Sequence, residues 1–159
     1  MRLLLALPLV FALSAAGCGT PRPIAAESSS MIDEPAPMVG TRSLGERFTL
    51  ERGASALVDG QRLRFDAVLE DSRCPTNVTC VWEGKAVVSL TFTGEQAISE
   101  IRLEIPGYVT TETEPRESQR GTQSGYTFIL LGLDPYPGTE EAEAADTPTA
   151  TLVVTPVGG

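Results

Sequence analysis

The chain has 159 residues, with 21 acidic side chains against 12 basic ones, a net charge of −9, one lysine (Lys85) and no histidine. Histidine-based acid–base chemistry and histidine-ligated metals are thereby excluded. The acidic balance disfavours nucleic acid and anionic lipid as partners, and it favours solubility.

In chain order, Met1-Arg2 supplies a short positive start, and residues 3–16, LLLALPLVFALSAA, are apolar apart from Ser14. This run is shorter than the roughly 20 residues a transmembrane helix needs, and it fits the apolar region of a secretory signal peptide over residues 1–17. It closes as Ala15-Ala16-Gly17-Cys18, which resembles the bacterial lipobox, with Ala15 standing where leucine is commonest. The resemblance implies cleavage before Cys18 and acyl chains on its sulfur and amine. Each buried methylene contributes about 0.8 kcal/mol, and more than one chain is needed for stable attachment. Gly19 follows where an aspartate would signal inner-membrane retention. The expected location is therefore the bacterial envelope, at the outer membrane, held through the lipid on Cys18. Residues 18–42 hold four prolines and three consecutive serines and few large apolar side chains. They cannot bury enough surface to offset their ordering entropy and read as a disordered tether.

Residues 43–159 read as a single domain with one core. Leu63, Phe65, Ala67 and Leu69 alternate with mostly polar residues; Val88, Leu90 and Phe92 do the same, as do Ile101, Leu103 and Ile105. This period of two marks strands with one face in the core and one in water. Residues 126–131, YTFILL, are apolar on nearly both faces and read as a central strand, and Leu152 and Val154 mark a last strand stopped by Pro156. Asp59-Gly60 between two such runs is a hairpin signal, and Gly94-Glu95, Pro106-Gly107 and 135–138 mark further reversals. Seven or eight short strands predict an all-β fold: a single antiparallel, Ig-like β-sandwich, with a small β-barrel as the alternative. Two polar loops are predicted, at 110–124 and 138–148.

With Cys18 assigned to lipid, Cys74 and Cys80 remain as an even pair, and an exported protein meets an oxidising compartment that joins them. The bridge requires the segment to double back, which Pro75 and Asn77 suit. Val81 and Trp82 follow directly and are candidates to pack under the loop. The bridged loop reads either as a structural corner or as a presenting loop with Arg73, Trp82 and Glu83 as contact surface; a redox pair is the least favoured option. The stretch DSRCPTNVTCVWEGKAVVSL resembles a family of small secreted bacterial proteins and lipoproteins with the pattern DSRCP-x4-CVW-x-G-x-A and no established activity. The likeness extends to Phe48, Leu50 and Gly53 upstream and to Leu133–Pro137 downstream. It implies an extracytoplasmic β-domain with a Cys74–Cys80 bridge and no catalytic residue. Glu83 stands where that family more often has a small residue.

Glu140, Glu141, Glu143 and Asp146 form an acidic stretch without EF-hand spacing, read as a solvated loop, with weak calcium binding aided by Asp134 as the alternative. There is no G-x-S-x-G or S-x-x-K motif, and no cofactor or metal site is expected. The leading expectation is a non-catalytic, monomeric envelope lipoprotein with a binding or structural role toward another envelope component. An inhibitor-like or ligand-binding module presenting the Cys74–Cys80 loop is the second reading, and a carboxylate-based hydrolase the third.

Overall fold

The computed structural model describes residues 37–107 and 114–158; the signal peptide at 1–17, Cys18, most of the tether and the first part of the 110–124 loop lie outside them. The described elements belong to the unit Asp33–Gly159. They are β1 (Met38–Arg42), β2 (Arg47–Glu51), β3 (Ser55–Val58), β4 (Gln61–Asp71), β5 (Lys85–Thr93), β6 (Ile98–Pro106), β7 (Arg120–Gln123), β8 (Tyr126–Asp134), a short helix α1 (Glu140–Ala144) and β9 (Thr149–Pro156).

The strands make two sheets, β1-β3-β4-β5-β6 and β2-β9-β8-β7. The fold is an all-β sandwich, and neither sheet closes into a barrel. Alternation explains the core. Leu63, Phe65, Val88, Leu90, Phe92 and Leu103 point inward from the first sheet, and Phe48, Leu50, Phe128, Leu130, Leu152 and Val154 from the second. Phe92 meets Phe128 across the two sheets edge-on, with centroids 5.0 Å apart, the arrangement the ring quadrupoles prefer. β8 lies between β9 and β7, the interior position its apolar sequence requires. The Asp59-Gly60 turn joins β3 to β4 with φ of 50° and 76°. Both values are positive, as a two-residue type I′ hairpin demands.

Four features depart from the sequence reading. The sheet begins inside the stretch read as tether: β1 at 38–42 pairs with β3, and it does so in parallel. A parallel neighbour needs an intervening element, and β2, in the opposite sheet, provides it. Second, β4 carries two register shifts against β5, at 65/67 and 68/70. Each inserts a residue and reverses the inward phase. Leu69 is consequently 50% exposed, while Val68 packs on the core. Third, the loop at 110–124 contains a 3-10 turn at Glu117–Gln119 followed by β7. Fourth, the loop at 138–148 contains α1, capped by Thr139, whose Oγ1 accepts from the Ala142 N–H at 3.2 Å. The glutamates of α1 sit in its first turn, where they complement the exposed N–H groups.

Candidate functional site

The segment 72–84 joins β4 to β5 at one end of the sandwich. Its base continues the strands. Ser72 N–H donates to the Lys85 carbonyl at 2.7 Å, Cys74 N–H to the Glu83 carbonyl at 3.0 Å, and Gly107 N–H to the Gly84 carbonyl at 3.0 Å. Gly84 is needed in this closure: its φ is +66°, and a Cβ there would collide with the Ser72 carbonyl. Beyond the base the chain turns at 75–78, with Val78 N–H donating to the Pro75 carbonyl at 3.3 Å. The Cys74–Cys80 disulfide closes this turn across a Cα separation of 6.0 Å. Pro75 and Asn77 lie in the reversal, as expected.

Arg73 fixes the loop to its neighbour. The second bulge of β4 leaves Asp71 opposite Ala86, a core residue, so Asp71 stands at the sandwich end beside Arg73. The Arg73 guanidinium donates from Nε and Nη2 to both oxygens of Asp71, at 2.9 and 2.7 Å. Nη1 donates to the Leu133 carbonyl at 2.6 Å and Nη2 also to the Pro135 carbonyl at 3.2 Å. The same group lies over the Tyr136 ring, 4.8 Å from its centroid. Tyr136 Oη in turn donates to the Gly107 carbonyl at 2.8 Å. Thr76 completes the tie, its N–H donating to the Pro137 carbonyl at 3.0 Å and its Oγ1 to that of Gly138 at 2.7 Å. A planar fork with several donors is the side chain suited to such a junction.

Arg73 is therefore not a contact residue. It is 5% exposed and its donors are engaged. Trp82 and Val81 are the opposite case. They do not pack under the loop: they are 79% and 92% exposed. Val78, at 56%, adds to the same apolar tip. Glu83 is half-buried and accepts from Arg116 at 2.8 Å, which braces the tip against the segment before β7. Of the three predicted contact residues, Trp82 alone is a free surface. Val78 and Val81 lie outside the contact set the sequence suggests, although their position close to a bridged cysteine is visible in it.

Among the described residues no group of three or more Asp, Glu, Cys or His side chains converges as metal ligands. None of their helices is long and apolar enough to cross a membrane. No protein-family model, curated protein or solved structure matches the chain.

Proposed function

We propose that this chain is a non-catalytic lipoprotein of the bacterial envelope, held at the outer membrane through Cys18, whose β-sandwich binds another envelope protein with the tip of the Cys74–Cys80 loop. The observation that carries this reading is the exposure of Trp82, Val81 and Val78 on a loop that a disulfide and a buried arginine hold in place. A tryptophan exposed without a structural task costs solubility, and buried aromatic anchors dominate protein interfaces. A pre-ordered loop also loses less entropy on binding. The leader and the lipobox-like run at 15–18 support the anchor, and the resemblance to secreted proteins with the same cysteine pattern supports the compartment.

The test uses cells making the full chain with a photo-crosslinking residue at position 81. A discrete adduct with an envelope protein is expected, and Trp82→Ala should abolish it while leaving the amount of folded protein unchanged. An adduct pattern indifferent to Trp82→Ala would remove the loop from the interface. Palmitate labelling tests the anchor separately: the label should be present, and it should be absent in Cys18→Ala.

A further inference from the structure

A second feature lies away from the loop tip. Along β2, Arg47 and Thr49 alternate with Phe48 and Leu50, which are in the core, so Arg47 and Thr49 face outward. Thr151 on β9 is the register partner of Thr49, which places the two hydroxyl-bearing side chains about 5 Å apart. Arg42, Arg47, Thr49, Thr151 and Leu131 line one cleft of about 640 Å³. That volume suits a small organic ligand.

The charges in this cleft are unusual for so acidic a chain. The five ion pairs among the described residues use Arg64, Arg73, Lys85, Arg102 and Arg116, so Arg42 and Arg47 take part in none of them. Arg42 donates from Nη2 to the Val39 carbonyl at 3.1 Å, and its Nε is buried with no partner. That buried nitrogen is closed off from the cleft, so Arg42 can meet a ligand only through its terminal nitrogens. Asp134 also lines the cleft, but it pairs with Thr149, whereas Arg47 pairs with Val153. These partners are four positions apart on β9, about 13 Å along the strand, and the two side chains form none of the ion pairs above. Leu131, Ile105 and Pro115 give the cleft apolar wall.

We infer that this cleft binds a small organic anion, an apolar body bearing a carboxylate. Arg42 and Arg47 receive the carboxylate, Thr49 and Thr151 supply hydroxyl donors, and the body lies toward Leu131. Guanidinium forks match carboxylate oxygens in plane and spacing. Arg73, engaged with Asp71, and Tyr136 also line the cleft, which therefore borders the base of the loop; the inference does not depend on the exposed tip or on the anchor.

The purified, 15N-labelled exported chain is titrated with N-acetyl-phenylalanine, with N-acetyl-phenylalaninamide and with inorganic phosphate. The carboxylate is expected to move the Thr49 and Thr151 amide resonances saturably, with the amide and phosphate markedly weaker. Arg42→Gln and Arg47→Gln should each raise the dissociation constant about tenfold, the loss of one charge-assisted contact. Arg47→Lys, which keeps the charge and removes the fork, should weaken binding as well and guards against loss of the fold. The assignment is overturned by the absence of saturable shifts, by equal binding of the amide or of phosphate, or by folded arginine variants that bind like the parent.

Discussion

The two ends of β4 are closed in opposite ways. At its start, Asp59 and Gly60 reverse the chain in two residues, and the end is polar. Tyr126 Oη donates to the Asp59 carboxylate at 2.7 Å, while Gln61 Nε2 donates to Tyr126 Oη at 2.9 Å, so the turn of one sheet is tied to the first residue of β8 in the other. At its far end the chain takes residues 72–84 to make the same connection, and it adds a buried guanidinium and a disulfide and leaves Trp82 in water. Turn chemistry alone suffices to join two antiparallel strands, as the first end demonstrates. The larger construction at the second end therefore exceeds what closure requires. Its surplus consists of rigidity underneath and apolar surface on top.

Arg73 is where this contrast breaks most sharply. Arg73→Leu removes the donors to Asp71, Leu133 and Pro135 together and leaves a carboxylate and two carbonyls short of partners. Breaking a buried ion pair from one side costs about 3–5 kcal/mol; Asp71 keeps some solvent access, so about 3 kcal/mol is expected in urea denaturation. A loss below about 1 kcal/mol would mean that Arg73 is not the junction. The Cys74→Ser/Cys80→Ser pair should cost less, about 2 kcal/mol for so short a closed loop. Arg73 holds the base independently of the bridge, so unfolding should remain a single transition.

The contrast was also uneven in the sequence. Asp59-Gly60 is legible because positive φ at two successive residues demands those residue types. The strands at 85–93 and 98–106 are legible because each keeps one face in the core without interruption. β4 is legible as a strand, but its bulges are not: an inserted residue is a property of pairing with β5, and nothing in QRLRFDAVLED marks where it falls. β1 and β7, MVGTR and RGTQ, escape notice because they bury little and are held by backbone pairing. The role of Arg73 is hidden for another reason. Its carbonyl acceptors lie 60 and 62 positions away, and a charged residue beside a disulfide loop resembles a surface contact until those carbonyls are placed. The arginines of the cleft share this difficulty, since outward-facing residues of a strand carry no mark of the wall opposite them.

Trp82→Ala sharpens the comparison from the other side. A side chain so exposed contributes little to folding, so stability should change by less than about 0.5 kcal/mol, while partner capture is lost. Trp82 is the single tryptophan of the chain. Its fluorescence therefore reports the tip directly: emission should match a solvated indole in the free protein and shift to the blue when the partner covers it. A blue-shifted emission in the free protein would place the indole against other parts of the chain and would remove the proposed contact.

The smallest effect belongs to the polar end. The hydrogen bond to the Asp59 carboxylate, then partial burial, then the charge of Asp59 hold the Tyr126 hydroxyl above the ordinary tyrosine pKa, against the opposing bond from Gln61. A folded pKa raised above the unfolded one means that the neutral phenol stabilises the fold. That contribution is complete below about pH 10 and is lost as pH rises through the folded value. Asp59→Asn removes the leading cause, so the Tyr126 ring-carbon titration followed by NMR should move down toward the ordinary value, and the alkaline loss of stability should become shallower. If Tyr126 titrates identically in both proteins, the turn and β8 are not coupled through this bond, and the polar end is closed by its backbone geometry alone.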